Sequence, residues 1–223
     1  MSQESLYVRR APSFSSKLFG LAPEAFTAFG EFNKQALAEG ALTVRVKELI
    51  AVGITHITGC PYCIEAHTGK AKAEQASLSE LAEVIAVAAA VNAHASYYHG
   101  VNLLAAYEGG HPEGSDLYPL GNLARVEKLA ELNPHGATSF ERYVDQALKP
   151  GKLTEKEKLL IAVGAAFVTG GAYSIEIFTA QAKAAGVTLQ EIAEALLVAA
   201  VLNAGAVVGH RVNALHAYER VSL

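Results

Sequence analysis

Residues 58 to 69 read TGCPYCIEAHTG and hold the only two cysteines of a 223-residue chain, three positions apart, with a histidine four beyond the second. On a helix, Cys60 and Cys63 are i and i+3, and Cys63 and His67 are i and i+4, so all three side chains share one face. A CxxC pair at a helix start can close a disulfide within one turn. The helix dipole and unpaired N–H groups there stabilise a thiolate, which lowers a cysteine pKa from its ordinary value of about 8.5. His67, one turn above Cys63, is placed to take its proton. Glu48, on the preceding segment, is placed to orient His67 or to relay that proton. The same four residues could instead supply zinc ligands, but three of them crowd one helix and no second CxxC or HxxxH knuckle accompanies them.

The surrounding sequence predicts helices throughout. Pro23 opens a segment whose apolar residues Phe26, Phe29, Phe32, Ala36 and Leu37 fall at helical spacing. Thr43 is a fitting N-cap for a helix over 44–57, which Gly59 ends. Pro61, at a first-turn position, starts the next helix, to about residue 75. Ser77 and Glu80 form a capping box before a long helix from 78 to about 107. No segment alternates with a period of two residues, and the fold class is all-α.

The chain is written twice. Residues 42 to 108 align without a gap on residues 153 to 219, and half of the aligned pairs are identical. Thr154 repeats the cap of Thr43, and Thr188 with Glu191 repeats the capping box. Three segments follow: a first repeat over 1–108, a turn-rich linker GGHPEGSDLYPLG over 109–121, and a second repeat over 122–223. The two homologous halves are expected to pack as an internal pseudo-dimer.

Each half is a control for the other. Glu48 aligns with Leu159, Cys60 with Gly171, Cys63 with Ser174 and His67 with Phe178, while Lys47, Thr58, Gly59, Tyr62, Ile64 and Glu65 recur as Lys158, Thr169, Gly170, Tyr173, Ile175 and Glu176. Joint loss of the four chemically capable residues on a shared scaffold marks them as one functional unit. Asn92, His99, Tyr107 and Glu108 recur as Asn203, His210, Tyr218 and Glu219, and so read as structural. His56 and His94 align with Phe167 and Gly205, so either could sit near the site. His111 and His135 fall in loops.

Composition sets the outer bounds. Hydrophobic residues make up 51% of the chain and charged residues 18%, with a net charge of −4 and no tryptophan. No Lys/Arg-rich run suggests nucleic-acid binding. So much apolar material implies surface buried between subunits. The N-terminus lacks the apolar core of a signal peptide. The most apolar stretch, residues 195–209, is shorter than the ~20 residues of a membrane span and carries Asn203. A cytoplasmic protein with no membrane partner is expected. No G-x-G-x-x-G follows a strand, so no nucleotide cofactor is expected.

The spacing Glu48, eleven residues, Cys60-Pro-Tyr-Cys63, three residues, His67 resembles the signature of the carboxymuconolactone decarboxylase/alkylhydroperoxidase D (AhpD) superfamily. The resemblance covers about residues 20 to 108 and, through the duplication, nearly the whole chain. It implies an all-helical, oligomeric fold, and a peroxidase activity that reduces hydroperoxides through the CxxC pair. Carried over, Cys63 is the attacking thiol, activated through His67 and Glu48. Cys60 is the more exposed, resolving thiol. A dithiol or protein reductant, of identity unknown, reopens the disulfide. One departure stands out: peroxidase members carry a histidine just before the second cysteine, where this chain has Tyr62, which leaves the relay one member short. Two repeats per chain imply a homotrimer that is pseudo-hexameric. The decarboxylase branch, a lyase acting in aromatic degradation, does not depend on a cysteine pair. A redox-sensing role without turnover is the remaining alternative.

Overall fold

A computed structural model describes residues 12–101 and 118–220. Among them the helices are α1 (Pro12–Phe19), α2 (Pro23–Ala36), α3 (Val44–Thr58), α4 (Pro61–Ala73), α5 (Leu78–Tyr98), then a 3₁₀ turn at Leu120–Arg125, α6 (Val126–Leu132), α7 (Pro134–Leu148), α8 (Glu155–Thr169), α9 (Ala172–Ala184) and α10 (Leu189–Arg220). No strand occurs among the described residues. The second repeat copies the first: α2 to α5 correspond to α7 to α10.

The caps hold as read. Thr43 accepts from the Val46 N–H, and Ser77 with Glu80, Thr154 with Glu157 and Thr188 with Glu191 close reciprocal capping pairs. Three expectations are corrected. The helix starting at 78 is interrupted after Tyr98, with helical residues again at 100–101, and its expected end near 107 lies outside the described residues. The break falls at His99, whereas the second copy runs on as helix through the equivalent His210. His135 lies in the first turn of α7, because Asn133 caps that helix and Pro134 opens it. The apolar stretch 195–209 belongs to a 32-residue helix, so its shortness does not argue against a span. By length and composition α5 and α10 would each be long enough to cross a membrane. The inward-facing Ala195, Val198, Ala199, Val201 and Leu202 of α10 are buried in the shared core. The linker over 109–121 and His111 lie mostly or wholly outside the described residues.

Both halves share one core, centred on the crossing of α3 and α8. Leu49, Ile50 and Ile54 of α3 and Ile161 of α8 are fully or almost fully buried, each worth about 1.5–3 kcal/mol of transfer free energy. The crossing is close because each helix has a glycine at the same register. A methyl group on Gly164 would lie 2.8 Å from Ile50 Cγ2, and one on Gly53 3.3 Å from Ile161 Cγ2.

The halves also exchange polar clamps. Glu194 of α10 accepts from the Ala41 and Leu42 N–H groups and pairs with buried Lys47 at 2.9 Å. Glu83 of α5 does the same for Lys152, Leu153 and buried Lys158, at 3.1 Å from the ammonium. Burial works to raise both carboxyl groups, but these hydrogen bonds outweigh it and hold each below its ordinary value. Arg45 bridges Glu80 and Glu157, one from each half.

Candidate active site

The site begins at the α3–α4 corner. Gly59 ends α3 in the left-handed conformation, φ 66°, which glycine adopts without strain. The chain reverses there and α4 folds back on α3. Cys60 is the N-cap of α4, Pro61 its first residue and Cys63 its third, so Cys63 sits among the unpaired N–H groups of the first turn. Neither cysteine is in a disulfide.

Folding α4 onto α3 brings Glu48 to His67. His67 Nδ1 lies 2.7 Å from Glu48 Oε2, and both side chains are buried. A carboxylate can only accept, so an ionised Glu48 places the hydrogen on Nδ1 and leaves Nε2 as the proton acceptor. Lys70 Nζ is 3.8 Å from Glu48 Oε1. A cleft of about 550 Å³ is lined by Asn33, Leu37, Lys70 and Glu48 among others.

The two thiols differ in access, in the opposite order from that implied by the resemblance. Cys60 is 0% exposed and Cys63 half-buried. The last helix, α10, from the other repeat, packs against the CxxC turn. A methyl group on Gly209 would sit 3.0 Å from Cys60 Sγ and 3.5 Å from Cys63 Sγ. Tyr62 is held by the same helix: its hydroxyl donates to Asn213 Oδ1 at 3.1 Å, and its ring meets the His210 ring edge-on. Gly209, His210 and Asn213 are thus part of the site's surroundings; sequence reasoning read His210 as structural and passed over Gly209 and Asn213. The comparison of halves did contain a signal for Gly209, which aligns with Tyr98.

The matching place in the second half is filled. Ser174 is fully buried, and Phe178, where the first half has His67, is 1% exposed. His94 lies here, away from the dithiol. Its Nδ1 is 2.8 Å from Ser174 Oγ, and its ring stacks on Tyr98 at 4.0 Å and packs on Phe178 at 4.7 Å. Burial lowers its pKa to about 4. His56 turns back on its own helix, with Nδ1 2.8 Å from the Val52 carbonyl. Among the described residues no group of three or more His, Cys, Asp or Glu side chains converges as a metal site.

The profile of the Carboxymuconolactone decarboxylase family matches residues 23–106 and again 134–217, one match on each repeat. The chain belongs to this family. Its duplication is thereby established at the level of family units, and the family includes both AhpD-like peroxidases and carboxymuconolactone decarboxylases. Two curated relatives are uncharacterised. A protein encoded in the cox locus of Paracoccus denitrificans is 45% identical over 78 residues, 35% of this chain and 70% of the relative. A protein of Cupriavidus necator is 42% identical over 65 residues, 29% of this chain and 58% of the relative. Those proportions make each relative about one repeat long. Among solved structures, one described as a gamma-carboxymuconolactone decarboxylase subunit from Burkholderia xenovorans LB400 superposes with a TM-score of 0.71. It covers 96% of this chain and 93% of its own, at 19% identity, a likeness of fold.

Proposed function

We propose that this family member is a thiol-dependent peroxidase that reduces hydroperoxides with the Cys60–Cys63 pair. The observation that carries the reading is the buried 2.7 Å Glu48–His67 hydrogen bond, one helical turn above a cysteine in the first turn of α4. A histidine oriented by a carboxylate, one helical turn from a thiol, is an arrangement that can activate a sulfur nucleophile.

The steps balance as follows. His67 takes the Cys63 proton. The thiolate attacks the peroxide, forming an S–O bond as the O–O bond breaks, and the departing alkoxide leaves protonated as an alcohol. Cys60, losing its proton, attacks the sulfenic sulfur; the S–S bond forms and water leaves. A dithiol supplies two electrons and two protons to restore the pair. Glu48 holds the imidazole, and the cleft beside it gives the relay an opening to solvent. Tyr62, anchored by Asn213, fills a place rather than moving a proton.

Such a cycle suits a reducing, cytoplasmic setting. The exposed Leu196, Leu197 and Val207 of α10 would be covered by further copies of the chain in a homotrimer. The test is consumption of an organic hydroperoxide with a small dithiol as reductant. Turnover should be lost in Cys63→Ser and in His67→Ala. Absence of turnover in the parent protein, with muconolactone turnover retained by a double Cys→Ser variant, would place the chain with the decarboxylases.

A further inference from the structure

We propose that Gly209 is a positioning residue for the dithiol: by lacking a side chain it lets α10 close on Cys60, so that oxidant and reductant both react at Cys63 sulfur. The inference rests on the dithiol cycle above and goes beyond it, because it assigns the direction of the cycle to the repeat that has no cysteines.

Three observations carry it. Gly209 is buried in a helix with ordinary backbone geometry, so no turn demands a glycine there. What demands it is proximity: a Cβ would stand 3.0 Å from Cys60 Sγ and 3.5 Å from Cys63 Sγ, closer to the first than carbon and sulfur settle without displacement. The fold itself does not require a small residue, since the equivalent position in the other half is Tyr98, which stacks on His94 over the cysteine-free turn. And the two sulfurs differ in exposure, Cys60 being sealed and Cys63 half-buried.

The chemical consequence concerns the reductive half. A disulfide can be attacked at either sulfur, and access helps decide which. With α10 over Cys60, the incoming dithiol's thiolate attacks Cys63 Sγ. The S–S bond breaks and Cys60 leaves as the thiolate. The reductant's second thiol, losing its proton, then attacks its own sulfur in the mixed disulfide. Cys63 leaves, the reductant departs oxidised, and Cys60 is reprotonated. Cys60 is therefore always the resolving and leaving thiol. One turn away on the same helix, Gly205 differs: a methyl there would only touch Phe29 Cζ at 3.7 Å, an ordinary contact.

The experiment reads sulfur access without peroxide, so it stands or falls separately from the peroxidase reading. The full-length Cys60→Ser and Cys63→Ser proteins are reacted with 5,5′-dithiobis(2-nitrobenzoate), and release of the coloured thiolate is timed. Cys63, remaining in Cys60→Ser, should react at least about tenfold faster than Cys60 in Cys63→Ser. Adding Gly209→Ala should narrow that ratio by about tenfold, and Gly205→Ala should leave it unchanged. Equal reactivity of the two cysteines, or a ratio that shifts equally with both glycine changes, would overturn the proposal. The comparison of the two serine variants needs no change at Gly209, so it decides even if Gly209→Ala fails to fold.

Discussion

His67 Nδ1 meets Glu48 Oε2 at 2.7 Å across the α3–α4 interface, and less than a tenth of either side chain reaches solvent. The pair fixes the imidazole ring and its tautomer at one position. Replacing Glu48 by Gln keeps the shape but removes the charge that stabilises the imidazolium. The rate of peroxide-driven thiol loss should fall about 10- to 100-fold. A rate within about twofold of the parent, in stopped-flow thiol assays, would show that Glu48 does not serve the relay.

Function should divide between the halves. Cys63→Ser and His67→Ala should abolish reaction with peroxide. Phe178→Ala, which empties a fully buried ring site in the second half, should cost about 3–5 kcal/mol in denaturant unfolding yet leave the rate near that of the parent. Equal loss of activity from changes in the two halves would contradict the single-site account.

The division explains what was legible in the sequence. Helices, caps and the CxxC turn were readable because Thr43, Gly59, Pro61 and the Ser77–Glu80 pair act locally. Glu48 and His67 were readable because the second copy lacks both. The order of exposure of the two thiols was not readable. It depends on Gly209, which is distant in sequence, and a glycine that admits a close approach looks like any other helical glycine. His94 was open for the complementary reason: alignment shows that it lacks a counterpart, but not that it faces Ser174 in the other half.

His94 also sets a pH dependence. Its folded pKa, about 4, lies below the unfolded value of about 6.5. In that window the unfolded chain binds the proton and the folded one resists it, so stability is full above about pH 6.5 and declines as pH falls toward 4. The carboxylates of Glu80, Glu83, Glu191 and Glu194 are held low instead, and their loss falls mainly below this window. Melting temperature should therefore drop between pH 7 and pH 5 in the parent. A His94→Phe, Ser174→Ala double variant should show a smaller drop, and an unchanged drop would contradict the assignment.

The exchanged clamps predict coupling of the halves. Glu194→Ala leaves the buried Lys47 ammonium without its carboxylate, with the Ala38 carbonyl still accepting from it, and frees two loop N–H groups. It should cost about 2–4 kcal/mol by chemical denaturation. Unfolding should remain a single transition, because α3 and α8 share one core. Two separated transitions in the parent protein would mean that the halves fold independently.

The most direct measurement is a thiol count in a single turnover. The reduced protein, freed of reductant under a chelator, receives one equivalent of an organic hydroperoxide, and reactive thiols are titrated after denaturation over seconds. The account predicts a fall from two per chain to none, reversed by a dithiol and absent in Cys63→Ser. Two thiols remaining after minutes would contradict it.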